Sequence, residues 1–523
     1  ITTSDNNVAI GYQAGTDITT GDNSVYVGYQ AGANATTGST NVFVGYLSGG
    51  LGVVTGGTNV GVGPQALQDL TSGANNISMG YRSAYELTTG ARNTSIGVFA
   101  LKNPDTENDN LALGYQALGD GAIAGGEYNV AIGNYALDAL TTGDDNVAIG
   151  YKAGSGLTVA ASTVIIGAQA GEALTEGSSC ILIGKQAGKA VTTATNNVFM
   201  GAHAGHDITT GGSNIAIGTE AYDGCDAETH NLAIGVSALG GSVAGGEYNI
   251  AIGNYSLDAL TSADSCTAVG YQAGSAKTSG NHGTFIGYNA GLACTTGTDV
   301  TFVGSEAGDG HDTESYNTGI GSGALGGAIA GGEYNVAVGA YTLDALTSGD
   351  KNTGIGYQAL TDVTTGGDNT AVGYNSLPNV LGGTDNVGLG LDAGSAITGG
   401  SGNICIGSGA DVADAAQDFG ITIGFEINGA TNDFSFGRAS NIVTNDFDAD
   451  ANWSRSSDVR KKQNIYDQGL GLDFINDLRT VRFQWKPSNE FPKEWNDYSE
   501  ENNMDTDVIM HGFIAQEVKE SLD

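Results

Sequence analysis

The chain has 523 residues, 86 of them Gly and only 5 Pro, with a formal net charge of −39. So acidic a surface excludes direct binding of nucleic acid or anionic lipid, while a hydrophobic content of 40% excludes an acidic disordered chain. No apolar run reaches the ~18 residues of a membrane span, so no membrane insertion is expected. The first residues, "ITTSDNNVAIGYQAG", begin inside a repeat and do not resemble a signal peptide, so the chain is expected to be a fragment.

One motif then recurs: "NVAIGYQAG" from Asn7, "NVFVGYLSG" from Asn41, "NVAIGYKAG" from Asn146, "NTAVGYNSL" from Asn369. The glycine after its apolar pair falls at 11, 28, 45 and onward to 424, giving 25 copies; 20 of the 24 spacings are 17 residues. Ile, Val, Leu or Met precedes every anchor glycine, and Val, Ile, Leu or Thr stands two residues earlier. Side chains alternate along a strand, so these two positions share a face. They are expected to form internal ladders, with the residue between them facing away. A second apolar position lies seven after the glycine, as in Ile18, Leu70, Leu140, Leu174 and Leu346. Each unit therefore reads as strand, turn, short strand, turn. A unit this short cannot enclose its own apolar face, whereas stacked units can. The expected fold class is all-β: a parallel β-roll or solenoid of about 25 coils over residues 1–437. The recurring Asn, four before the glycine, suits a turn whose amide satisfies backbone groups. The glycines suit positive φ or close backbone approach.

Other residues in the array invite chemical readings. Five Cys (180, 225, 266, 294, 405) show no CxxC spacing and no partner in an adjacent coil, so they read as buried thiols. A longer block, "GGEYNVAIGNYALDALT", recurs in variants from Gly125, Gly245 and Gly331. It reads either as a protruding loop or as a duplication scar. Tyrosines follow the anchor in runs (Tyr12, Tyr29, Tyr46; Tyr271, Tyr288; Tyr357, Tyr374) and are expected to stack on one another, with sugar stacking as the other reading. His203 and His206 are three apart but need not converge on a coil, so no metal site is expected. No cofactor is expected either. Calcium is the one ion that the Asp- and Asn-rich turns would suit, but the nonapeptide pattern "GGxGxD" does not repeat.

The array resembles the head repeats of trimeric autotransporter adhesins, whose units read Asn-Ser-Val-Ala-Ile-Gly, and similar repeats of phage tail fibres. That resemblance, carried by "N-x-[AFY]-[IV]-G", implies a left-handed β-roll, a homotrimer and a binding role.

The pattern decays from Asp411, and "RASNIVTNDFDADANWSR" reads as a polar connector, 438–456. Beyond Gly437 lie ten of the 18 Lys and Arg and all three Trp, so a new domain begins. In it "GLGLDFINDLR" puts Leu472, Ile475 and Leu478 on one helical face, "TVRFQW" alternates as a strand, and "VIMHGFIAQEVKESLD" reads as a strand entering a helix. The pieces "SDVRKKQNI", "LDFINDLRTVRFQW" and "HGFIAQEV" resemble the C-terminal intramolecular chaperone of phage tail spikes and endosialidases, a self-cleaving peptidase family. Residues 457–523 would be the N-terminal part of that domain.

The resemblance implies a cut between Ser456 and Ser457, made by Ser457 with Lys462. A serine hydroxyl needs a base, and lysine serves only when neutral. Neighbouring Arg460 and Lys461 would favour that form. Gln463 departs from the family, which commonly has a second Lys there. No turnover enzyme is expected, only single-turnover Ser-Lys autoproteolysis.

Together these readings imply an extracellular virion tail fibre or spike that is homotrimeric and binds a host cell-surface glycan or protein receptor. A bacterial trimeric surface adhesin is the alternative; an ice-binding or self-assembling solenoid fits less well, because Thr does not form regular two-residue rows.

Overall fold

The computed structural model describes residues 3–121, 123–446, 472–495, 497–502, 504 and 506–522. The chain divides into two compact units, 1–450 and 451–523.

In the first unit each repeat winds one coil carrying a three-residue strand, from Val8–Ile10 through Ile404–Ile406. Each strand pairs in parallel with that of the next coil: Val8 opposes Val25, and Ile404 opposes Ile421. Longer units keep this register, with Val42 opposite Val60 and Leu111 opposite Val130. The array closes with Ile421–Phe425, Asp433–Arg438 and Asn441–Asp446, the last of these pairing antiparallel. Residues 438–446, expected in the connector, thus continue the sheet.

The second strand expected in each coil is absent almost throughout the described residues. Only Asp411–Val412 with Asn428–Gly429, and an isolated bridge from Ala35 to Val54, pair there. The cause is local. Between the anchor and the second apolar position the backbone enters the left-handed region, as at Gln13 (φ 51°) and Gly15 (φ 53°), so the segment turns instead of extending.

The strand also faces the opposite way from expectation. Its middle residue is the enclosed one: Tyr26, Phe43, Ala131, Ile165 and Phe199 are at most 1% exposed. The Val and Ile expected in internal ladders point outward, leaving Ile286 39%, Ile320 40% and Ile355 41% exposed. The lumen already holds the residue seven after the anchor, for Leu70, Leu140, Leu174 and Leu346 are fully buried. Two branched rows from the strand would overfill it.

Packing inside the lumen is balanced coil by coil. Where the middle strand residue is large, the residue four after the anchor is glycine. A Cβ on Gly32 would lie 2.2 Å from the Tyr26 ring, and one on Gly308 would lie 2.5 Å from Phe302. In many coils where the middle residue is Gly or Ala, Leu fills the space instead, as in Leu67, Leu137 and Leu343, despite left-handed φ values of 52°, 50° and 54°; beside Ala148 that position is Gly154, whose would-be Cβ meets Ile165 and Leu137 of the adjacent coils at 2.7 and 3.1 Å. Each such leucine carries a strain of roughly 1–2 kcal/mol, set against ~1.5–3 kcal/mol gained by burying it.

The repeated Asn builds a buried ladder along the unit. Asn369 Nδ2 donates to the Gly383 carbonyl (2.8 Å) and to Asn352 Oδ1 (3.1 Å), while its Oδ1 accepts from the backbone N–H of Asn386 (3.0 Å). The amide thus satisfies backbone groups of neighbouring coils that would otherwise be buried unpaired. Cys180 and Cys266 interrupt the ladder, and all five cysteines are free and buried, as expected.

Candidate functional site

Three surfaces of the solenoid can carry function. The first is the outward strand face, where two apolar or Thr side chains per coil line up along the whole array. The second is the tyrosine row. Tyr12, Tyr29 and Tyr46 stack with ring centroids 5.2 and 5.4 Å apart, Tyr271 and Tyr288 at 5.8 Å, and Tyr357 and Tyr374 at 5.2 Å. They stack on one another, the favoured sequence reading.

The third lies at the three GGEYN blocks, which do not protrude. Ile123, Val243 and Ile329, just ahead of the blocks, are each 4% exposed and pack into the core. The corner is held by a buried carboxylate that sequence reasoning missed. Glu107 Oε2 accepts from the backbone N–H groups of Asp105 (2.7 Å) and Thr106 (3.0 Å), and Oε1 accepts from Gly125 (2.9 Å). Glu228 and Glu314 repeat the arrangement, with Gly245 and Gly331 each donating at 2.9 Å. Burial pushes the Glu314 carboxyl up, but its backbone N–H donors outweigh that and leave it below the ordinary range. A signal was present: Asp-x-Glu stands 17 or 18 residues before each of these glycines.

The second unit matches the sequence-derived elements. It comprises the helix Leu472–Asp477, the strand Val481–Phe483 antiparallel to Met510–Gly512, and the helix Ala515–Leu522. Arg479 Nε donates to Glu517 Oε2 (3.0 Å) and its Nη2 to Oε1, tying the start of the strand to the last helix and holding the Glu517 carboxyl low. Ser488 is the only buried residue among those described in this unit. Val481, Phe483, Trp485, Phe513 and Ile514 line an open apolar groove. Ser457 and Lys462, with the cut point at Ser456–Ser457, lie outside the described residues.

Residues 457–523 match the family described as chaperone of endosialidase. No curated protein matches the chain. The chaperone-of-endosialidase segment covers 67 residues and follows a solenoid, an order that fits a tail-spike-like protein.

Outside the chaperone segment, two clusters of ionisable residues differ from expectation. His203 and His206 do converge, with ring centroids 5.3 Å apart. The left-handed turn at His203 (φ 60°) brings the two rings to one side of the coil. The other cluster is inside the lumen. The position seven after the anchor is Lys277, Cys294 and His311 in three successive coils, all fully buried. Lys277 Nζ donates to the Gly297 carbonyl and lies 3.9 Å from Cys294 Sγ. His311 packs 4.6 Å from the Phe302 ring, and neither of its nitrogens has a hydrogen-bond partner among the described residues.

Proposed function

We propose that the chain is a homotrimeric virion tail fibre or spike that attaches to a host cell surface. In this reading the chaperone-of-endosialidase segment sets its assembly and then cuts itself off before Ser457. The observation that carries the reading is the pairing of that segment with an outward apolar row on every coil. A row this long, continuous and half-exposed is an interface by its chemistry. Further copies of this chain are its natural occupants, because only another array has the same 17-residue repeat of Val, Ile and Thr. Three such rows facing one axis would bury the residues that the lumen does not take.

The assembly problem explains the chaperone. Identical coils permit many registers, and parallel pairing of distant residues is slow. A folded nucleus at one end aligns three chains before their coils pair. The apolar groove and exposed Trp485, Phe513 and Ile514 of the second unit supply surface for that nucleus. Cleavage would follow once Lys462, made neutral, takes the proton of Ser457 Oγ and the alkoxide attacks the carbonyl carbon of Ser456; the Ser456–Ser457 C–N bond then breaks as the Ser457 nitrogen takes the proton back from Lys462, and water hydrolyses the resulting ester to a Ser456 carboxylate and a free Ser457. Loss of the chaperone leaves a product that is stable kinetically and cannot re-equilibrate register. The receptor would be a cell-surface glycan or protein met by the exposed solenoid face, and the ladder tyrosines offer flat rings for sugar.

The test is expression of the complete gene with Ser457 and with Ser457→Ala. Intact mass is expected to show a cut between Ser456 and Ser457 in the first and none in the second, with light scattering giving three chains per particle. Uncut native protein, or equal cutting of the variant, removes the cleavage step. A monomeric product removes the trimer.

A further inference from the structure

We propose that His206, Asp207 and Asp223 form a binding site for a divalent transition-metal ion, zinc by class, that staples two adjacent coils. The three side chains come from neighbouring coils held in register by their backbones: the Asp207 N–H donates to the Asp223 carbonyl (3.2 Å). His206 Nδ1 lies 2.6 Å from Asp207 Oδ1 and 4.0 Å from Asp223 Oδ1. One donor atom from each of the three residues lies within 4.8 Å of the other two, compact enough to surround a single ion.

A second observation points to a missing cation. Asp223 Oδ1, the oxygen turned toward His206, is itself buried and has no hydrogen-bond partner among the described residues. A buried carboxylate oxygen without a donor is costly and calls for a charge to meet it. A cation at the junction would relieve both carboxylates, Asp207 and Asp223, together.

The donor set selects the metal. Imidazole nitrogen with carboxylate oxygen suits zinc, nickel and cobalt, whereas calcium and magnesium prefer oxygen alone. His203, whose ring lies 5.3 Å from that of His206, is placed to supply a fourth ligand or to order a bound water. The pair His282 and Asp299 provides an internal contrast. Its Nδ1 and Oδ1 are 3.1 Å apart, but no third donor joins them among the described residues.

The experiment uses the full chain after chelation and dialysis. Cobalt(II) is added as the spectroscopic probe, and zinc is titrated calorimetrically. One strong site per chain is expected, with cobalt absorption displaced by zinc. His206→Ala and Asp223→Asn are each expected to weaken zinc by more than the roughly 10–100-fold typical of outer-shell partners, while His282→Ala leaves it unchanged. His206 and Asp223 are partly exposed, so an unchanged circular dichroism spectrum would confirm that both variants fold. The proposal is overturned if the native chain binds neither metal, or if His206→Ala and Asp223→Asn bind as the native chain does.

Discussion

Replacing Gly201 with alanine is expected to split the solenoid. Gly201 has φ 144°, and a Cβ there would lie 2.3 Å from the Gly218 carbonyl oxygen and 2.6 Å from its carbon, both backbone atoms of the next coil. Neither contact can be relieved by a side-chain rotation. The conformational strain of roughly 1–3 kcal/mol adds to an overpacking cost of about 1–3 kcal/mol, and the coils must move apart. In a stacked array each coil contacts only its neighbours. The damage is therefore local: hydrogen exchange should accelerate by two or more orders of magnitude in the coils around residues 184–218 and little elsewhere. Two other glycines calibrate the effect. Gly125 has φ 113° but nothing within 4 Å of its would-be Cβ, so Gly125→Ala should cost the strain alone. Gly399 has neither problem, and Gly399→Ala should be neutral or stabilise by ~0.4–1 kcal/mol. Equal exchange rates in all three variants would refute the close approach of successive glycines as the reason for their recurrence.

Acidification is expected to weaken the coils around His311 more than the rest of the array. Burial pushes the His311 imidazole down to about 4, the nearby Glu314 opposing only in part. An unfolded histidine titrates near 6.5. Between these values the unfolded chain binds the proton and the folded coil does not, so stability falls as pH drops from about 6.5 toward 4 and levels off below. The full loss is about 3 kcal/mol. His311→Leu matches Leu260 and Leu346 in the same column and removes this component. The difference in denaturant midpoint between the variant and the native chain should therefore widen on going from pH 7 to pH 4.5. A constant difference would mean that the ring is protonated or solvated in the folded chain. The comparison of two chains cancels the carboxylates, which also titrate in this range.

Much of this architecture is legible in the residues. The 17-residue period sets the coil, and the anchor glycines set the close approach of successive turns. The Asn column anticipates its ladder, and the tyrosine runs their stacking. The elements from Leu472 to the final helix are legible because each is short and locally patterned. Less of the functional surface was legible. The carboxylate staples at Glu107, Glu228 and Glu314 depend on donors 17 or 18 residues away in the next coil. The meeting of His206 with Asp223 depends on the same stacking.

What the sequence determined by itself is therefore the repeat, its register and the close approach at the anchor glycines, since these follow from local sterics repeated many times; the left-handed turn that replaces the expected second strand was not among them. Which side of the strand is enclosed was decided only by tertiary structure. Alternation says that Val8 and Ile10 share a face and that Ala9 has the other. It does not say which of them the coil closes around. That choice rests on lumen volume: each coil has room for one large group, such as Phe43 or Leu67, beside the residue seven after the anchor. The branched pairs are thereby turned outward, where their apolar surface stays exposed.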